Sequence, residues 1–253
     1  MVIKLYNGSI EVDFNKEKHS YKVNGKRVIS VTACTSVIDK SRPLIYWAVG
    51  LTKDYLLENL QELIDDKIGD KISLHINEAV KQHSIKKQRA ADIGTQVHDW
   101  AERFIKTQKE GCPEIPDDEN VRNGINAFLN WVNKYNVKFI SSERVVYSKQ
   151  YDYVGIMDAE AVIDGKLCPI DFKTSKGIYP EMRFQVAAYQ AAAEEESGKK
   201  YTGNKWLARF DKETGEFEAH EYTEQDKDFE AFLAALALRR RLKELDNYKK
   251  QTL

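Results

Sequence analysis

Asp158, Asp171 and Lys173 flank an Asp164-Gly165 pair, and that pair decides how they meet. Asp-Gly is a strong short-range signal for a two-residue hairpin loop, because both central residues must take positive φ. With Asp164-Gly165 as the loop, Ile163 faces Lys166, Val162 faces Leu167, and Asp158 falls opposite Asp171. Cross-strand partners share a face with Cβ atoms about 4.5–5.5 Å apart. Lys173, two residues beyond Asp171, joins that face. The opposite face carries Met157, Ala159, Ala161, Ile170 and Phe172, a core stripe. Two opposed carboxylates repel unless something offsets their charge. A divalent cation does this naturally, since hard oxygen donors are what Mg²⁺ and Mn²⁺ prefer. A solvated polar face, or one aspartate paired with Lys173, fits the same three residues.

The elements that must carry these groups can be read from periodicity. Residues 1–32 alternate, and Asn24-Gly25 predicts a hairpin joining Tyr21-Lys22-Val23 to Arg27-Val28-Ile29. From about 44 to 101 the spacing is helical, with Leu56, Leu60, Leu63 and Ile64 as examples. Residues 94–106 form one strong segment, broken by Gly111-Cys112-Pro113 and Pro116. Asp117 or Asp118 caps the next helix, whose stripe is Ile125, Phe128, Leu129 and Val132. Strands follow at 139–147, 153–163 and 166–173, then a helix over 179–197. A hairpin over 205–210 and 216–222, around Thr214-Gly215, precedes a helix over 224–245 and a charged tail. This order predicts a mixed α/β or α+β fold.

Composition bounds the reading. The 253 residues, 42% hydrophobic and 31% charged, suffice for a sizeable core without disulfide or structural metal. A net charge of −1 argues against a protein that coats nucleic acid, which needs clustered cations. The 39 basic residues still allow a local basic groove. Cys34, Cys112 and Cys168 form no CxxC pair and read as free thiols in a reducing compartment. The start lacks a signal-peptide core and no run is long enough to span a membrane. The expectation is a cytoplasmic protein with no membrane partner.

Four motifs occur in order: Gly94-Thr95-Gln96-Val97-His98, Gly155-Ile156-Met157-Asp158, Asp171-Phe172-Lys173-Thr174-Ser175, and Gln185-Val186-Ala187-Ala188-Tyr189. With them the chain resembles the PD-(D/E)XK nuclease superfamily, in its RecB-like exonuclease branch, over about residues 90–210. Ser30-Val31-Thr32 and Leu44-Ile45-Tyr46-Trp47-Ala48 are similar to phage-type members. The mitochondrial genome maintenance exonucleases share the order His, Asp, Asp-x-Lys. A CRISPR-associated branch holds an iron–sulfur cluster on four cysteines, which this sequence lacks.

The resemblance implies a restriction-endonuclease-like core over 91–253, a mixed central sheet flanked by helices. Residues 1–90 would be an N-terminal hairpin and helical extension shaping a DNA channel. It implies a metal-dependent deoxyribonuclease, exonucleolytic on single-stranded DNA or DNA ends, of the kind used in recombination and repair. The alternatives are a structure-specific endonuclease of the same fold and a DNA-binding recombination accessory protein that does not cleave. By the same resemblance, His98, Asp158, Asp171 and the Phe172 carbonyl ligate Mg²⁺ or Mn²⁺, and Lys173 orients the attacking water. Gln185, Tyr189, Thr174 and Ser175 would face the DNA. Glu143, on the preceding strand, is either near that site or a neighbour of Arg144. The runs Lys86-Lys87-Gln88-Arg89 and Arg239-Arg240-Arg241 are either phosphate tracks or solvated faces. The four tryptophans are base-stacking platforms or, more simply, core.

Overall fold

The computed structural model describes residues 1–18, 20–65, 70–107 and 111–251. Of the three turns singled out in the sequence, the Asn-Gly and Asp-Gly pairs form as their chemistry requires. Asn24 and Gly25 take φ of 47° and 80°, and Asp164 and Gly165 take 49° and 75°, the positive values of a type I′ turn. Around the first turn fold β3 (Ser20–Val23) and β4 (Lys26–Ser30). Around the second fold β6 (Tyr153–Ile163) and β7 (Lys166–Lys173). Two further strands, β1 (Val2–Leu5) and β2 (Ile10–Asn15), precede β3. β5 (Lys138–Ser148), β8 (Lys205–Phe210) and β9 (Phe217–Tyr222) complete one nine-stranded sheet. The β4–β6 and β7–β8 ladders are parallel and the others antiparallel. The fold is therefore a mixed α/β arrangement, its sheet flanked by helices as expected.

The helices are α1 (Val31–Thr35), α2 (Ser41–Glu58), α3 (Leu60–Asp65), α4 (Asp70–Lys106), α5 (Glu119–Lys134), α6 (Pro180–Ser197) and α7 (Gln225–Gln251). Asp118 caps α5 by accepting from the Asn120 and Val121 amides. The buried stripe of α5 is Val121, Ile125, Phe128 and Trp131; the expected Leu129 and Val132 are only half-buried beside it. Phe128 and Trp131 pack edge-on against Phe172 of β7. α6 and α7 cover the other side, where Ala188, Tyr189, Phe232 and Leu236 enclose Tyr153 and Met157. Residues 66–69 of the expected 44–101 helical stretch, and the last two of the charged tail, lie outside the described residues.

The chain divides into two compact units, residues 1–38 with 96–253, and residues 39–95. The sequence reading placed a boundary near residue 90 and assigned everything before it to an extension. The difference at the front has a clear cause: β4 hydrogen-bonds to β6, so β1–β4 belong to the main sheet. That pairing joins residues more than a hundred positions apart, and no local pattern announces it.

A candidate metal centre at a fork in the sheet

β6 changes partner along one of its edges. β5 occupies the opposite edge throughout, from Lys138↔Val162 to Ser148↔Tyr153. On the shared edge, β4 pairs with Tyr153 and Val154, and β7 pairs with Ala159 to Ile163. Residues 155–158 are left unladdered between them. β4 runs parallel to β6 and β7 antiparallel, so the carboxyl ends of both point into this gap. Openings at strand carboxyl ends where a sheet changes partner are where α/β folds place ligands.

The hairpin register holds to this point, with Ala159↔Ile170 as its last pair. Asp158 is the next residue, and its Oδ2 accepts from the Phe172 amide at 2.6 Å. One feature of the sequence reading is corrected here. Met157 and Phe172 do not share a face: Met157 packs among Ala188 and Tyr189, whereas Phe172 packs on α5. The Tyr201 hydroxyl contacts both Met157 Sδ and Glu160. Positions three apart thus lie on one side, and the alternation of β6 is interrupted around Asp158. The strand opposite shows a matching irregularity, for Glu143, between the Ser142↔Ala159 and Arg144↔Met157 pairs, sits at φ 50°. A non-glycine residue held there within a strand is strained, and such strain collects at functional sites.

Because the faces cross over here, groups from both helical layers reach the gap. From α4 comes His98, whose Nδ1 lies 3.8 Å from Asp158 Oδ2 and whose ring meets the edge of Phe172. α4 can come this close because Gly124 of α5 has no Cβ; one added there would overlap Val97. From α6 comes Gln185, donating to Asp171 Oδ1 at 3.2 Å and to the Tyr189 hydroxyl at 2.8 Å. Lys173 touches Asp171 Oδ2 and donates to Gln185 Oε1 at 3.4 Å. Despite that contact, Asp171 Oδ2 receives no hydrogen bond of proper geometry and is fully buried. Gly155 explains itself too: a Cβ there would overlap Tyr189 Cε1 and crowd Val31.

The expected site residues are thus brought together with two qualifications. Phe172 is engaged here through its N–H, which donates to Asp158, and its carbonyl as a metal ligand stays what the resemblance implies. Ser175 uses its hydroxyl on the Gly177 carbonyl at 2.8 Å, and Thr174 is half-buried just after β7. Glu143, on β5, stands opposite Asp158 of β6, a placement that follows once β5 and β6 are registered.

The electrostatics are those of crowded, desolvated acids. Asp171 is 1% exposed, and burial raises its carboxyl to about 6 against the opposing pull of Lys173, with Asp158 adding to the rise. Burial also raises Asp158. Glu143 is pushed up to about 8 by burial and then by Asp158. His98 keeps 30% of its side-chain surface open yet sits deep among protein atoms. That burial, followed by the charge of Lys173, lowers it to about 4, leaving a neutral imidazole with a free lone pair.

Among the described residues, no three His, Cys, Asp or Glu side chains are already disposed to hold a metal ion. The donor types nevertheless fit one: buried carboxylate oxygens, one of them without a hydrogen bond, and a neutral imidazole. Three tryptophans, Trp100, Trp131 and Trp206, are core residues. Among the described residues no helix is long and apolar enough to cross a membrane.

Neither a protein-family profile nor a curated protein matches the chain. Among solved structures, it is similar to the crystal structure of SSO0001, at 16% identity and a TM-score of 0.30, over 59% of this chain and 72% of that one.

Proposed function

We propose that this protein is a metal-dependent phosphodiester hydrolase of the PD-(D/E)XK type, acting on DNA as an exonuclease at single strands or ends. The observation that carries the reading is the meeting in the fork of a buried Asp171 and a partly buried Asp158, with Lys173 lying on Asp171. Opposed acids in so poorly hydrated a place are costly to a fold, since burial penalises each charge and each penalises the other, and Lys173 lies on only one of them.

Asp158, Asp171 and His98 would hold Mg²⁺ or Mn²⁺, which when bound polarises the phosphate and acidifies a water. Lys173 holds the remaining positive charge at the place where the attacked phosphate gains negative charge, and it can donate to the attacking water. Gln185 fixes both Lys173 and Asp171 from α6 and so sets the angle at which the ammonium points. Tyr189, held by Gln185 and packed over Gly155, closes the α6 side of the fork.

End-labelled single- and double-stranded DNA incubated with Mg²⁺, Mn²⁺ or EDTA tests this. Metal-dependent shortening of the label, lost in Asp171→Ala and Lys173→Ala, is the expected result. Cleavage in EDTA, or parent-level cleavage by either folded variant, would overturn the reading.

A further inference from the structure

A second feature lies beside the fork. α7 and the β3–β4 hairpin enclose a groove of about 310 Å³. Its charged lining consists of Arg27 from β4, Arg239 and Lys243 from α7, and one acid, Asp246. The three cations are exposed, and none has an ion-pair partner among the described residues. Their neighbours in the basic run are engaged elsewhere. Arg240 donates to the Tyr151 and Asp152 carbonyls at 2.6 and 3.0 Å, and Arg241 pairs with Glu244 at 3.1 Å. The run Arg239-Arg240-Arg241 therefore separates into one structural residue, one surface pair and one cation free to act in the groove. Arg239 and Lys243 are four apart, one above the other on a helix anchored by Phe232 and Leu236.

The groove and the fork share strand β4. Ser30 lines the groove and pairs with Val154, next to the unladdered residues of β6. Tyr21 lines it as well, and its hydroxyl lies near enough to feel the charge of Glu143.

We infer that this groove is a track for the phosphodiester backbone of a single nucleic-acid strand. The inference rests on the nuclease reading for the identity of the strand. Three unpaired cations on two elements, converging on one narrow trough, match evenly spaced phosphates. A lone anion would need only one of them.

Fluorescence anisotropy of a labelled oligo-dT in EDTA measures binding without cleavage. Arg239→Gln/Lys243→Gln should weaken it about tenfold at low salt. The slope of log affinity against log salt should fall by about 1.4, at about 0.7 per phosphate contact on a single strand. Arg241→Gln, on the same helix and outside the groove, should bind like the parent. Unchanged affinity and slope in the double variant, or an equal loss in Arg241→Gln, would overturn the inference. Retention on anionic vesicles without oligonucleotide binding would overturn it too, by assigning the groove to a membrane surface. Hydrolysis of bis(p-nitrophenyl) phosphate by the parent with Mn²⁺ tests the centre separately. Hydrolysis with no groove effect removes this inference alone, and a groove effect without hydrolysis removes the catalytic reading alone.

Discussion

Asp158 accepts a backbone hydrogen bond while facing Asp171 and Glu143, so its charge is both held and opposed. An asparagine can still accept from Phe172, but it removes the repulsion. Asp158→Asn is therefore expected to abolish cleavage in Mn²⁺ without lowering the melting temperature in EDTA. A residue retained for stability would behave in the opposite way, since losing one member of a favourable buried pair costs about 3–5 kcal/mol. Scanning fluorimetry in EDTA beside a cleavage assay decides it; a clearly lower melting temperature makes Asp158 structural. Glu143→Gln follows the same logic from across β5, because burial and Asp158 together raise its carboxyl. It should stabilise the metal-free protein, and a drop in its metal-free melting temperature would show that the carboxylate is needed by the fold.

At the scale of elements, the fork depends on α6 lying against β6, and Gly155 permits this. Gly155→Ala forces the Tyr189 ring or the strand to move, and overpacking of this kind costs about 1–3 kcal/mol. Urea unfolding should show that loss, and an unchanged midpoint would mean the ring swings aside freely. The sequence made the hairpin legible, since Asp164-Gly165 fixes the register and the register opposes Asp158 to Asp171. It also made legible the His98 helix, the α5 cap to within Asp117 or Asp118, and the hairpin at Asn24-Gly25. It did not show the interrupted alternation at Asp158. The irregularity opposite lies at Glu143, where no glycine advertises a positive φ. Nor did it show the β4–β6 ladder, which is two residue pairs long and entirely non-local. Local chemistry was readable; the contacts that bring distant segments to one gap were not.

At the scale of the whole molecule, the candidate centre lies within one compact unit, residues 1–38 with 96–253. The other unit, residues 39–95, is helical where described and contains Trp47. Trp100, Trp131 and Trp206 belong to the first unit and are buried there, two of them fully. Tryptophan fluorescence therefore reports mainly the unit that carries the acids, while far-UV circular dichroism also counts the helices of the other. Two units need not unfold as one, so the two probes need not agree. A metal that binds only the native centre stabilises by mass action, by about 2.7 kcal/mol at a hundredfold excess over its dissociation constant. For a domain of this size, that corresponds to a rise of about 5–10 °C. Mn²⁺ is expected to raise the fluorescence-detected midpoint by that order and to leave any separate helical transition in place. The rise should vanish in Asp158→Asn/Asp171→Asn, which keeps the side-chain shapes and removes their charge. An equal rise in that double variant would mean the ion binds elsewhere, and no rise in the parent at millimolar Mn²⁺ would leave the buried acids without the cation that explains them.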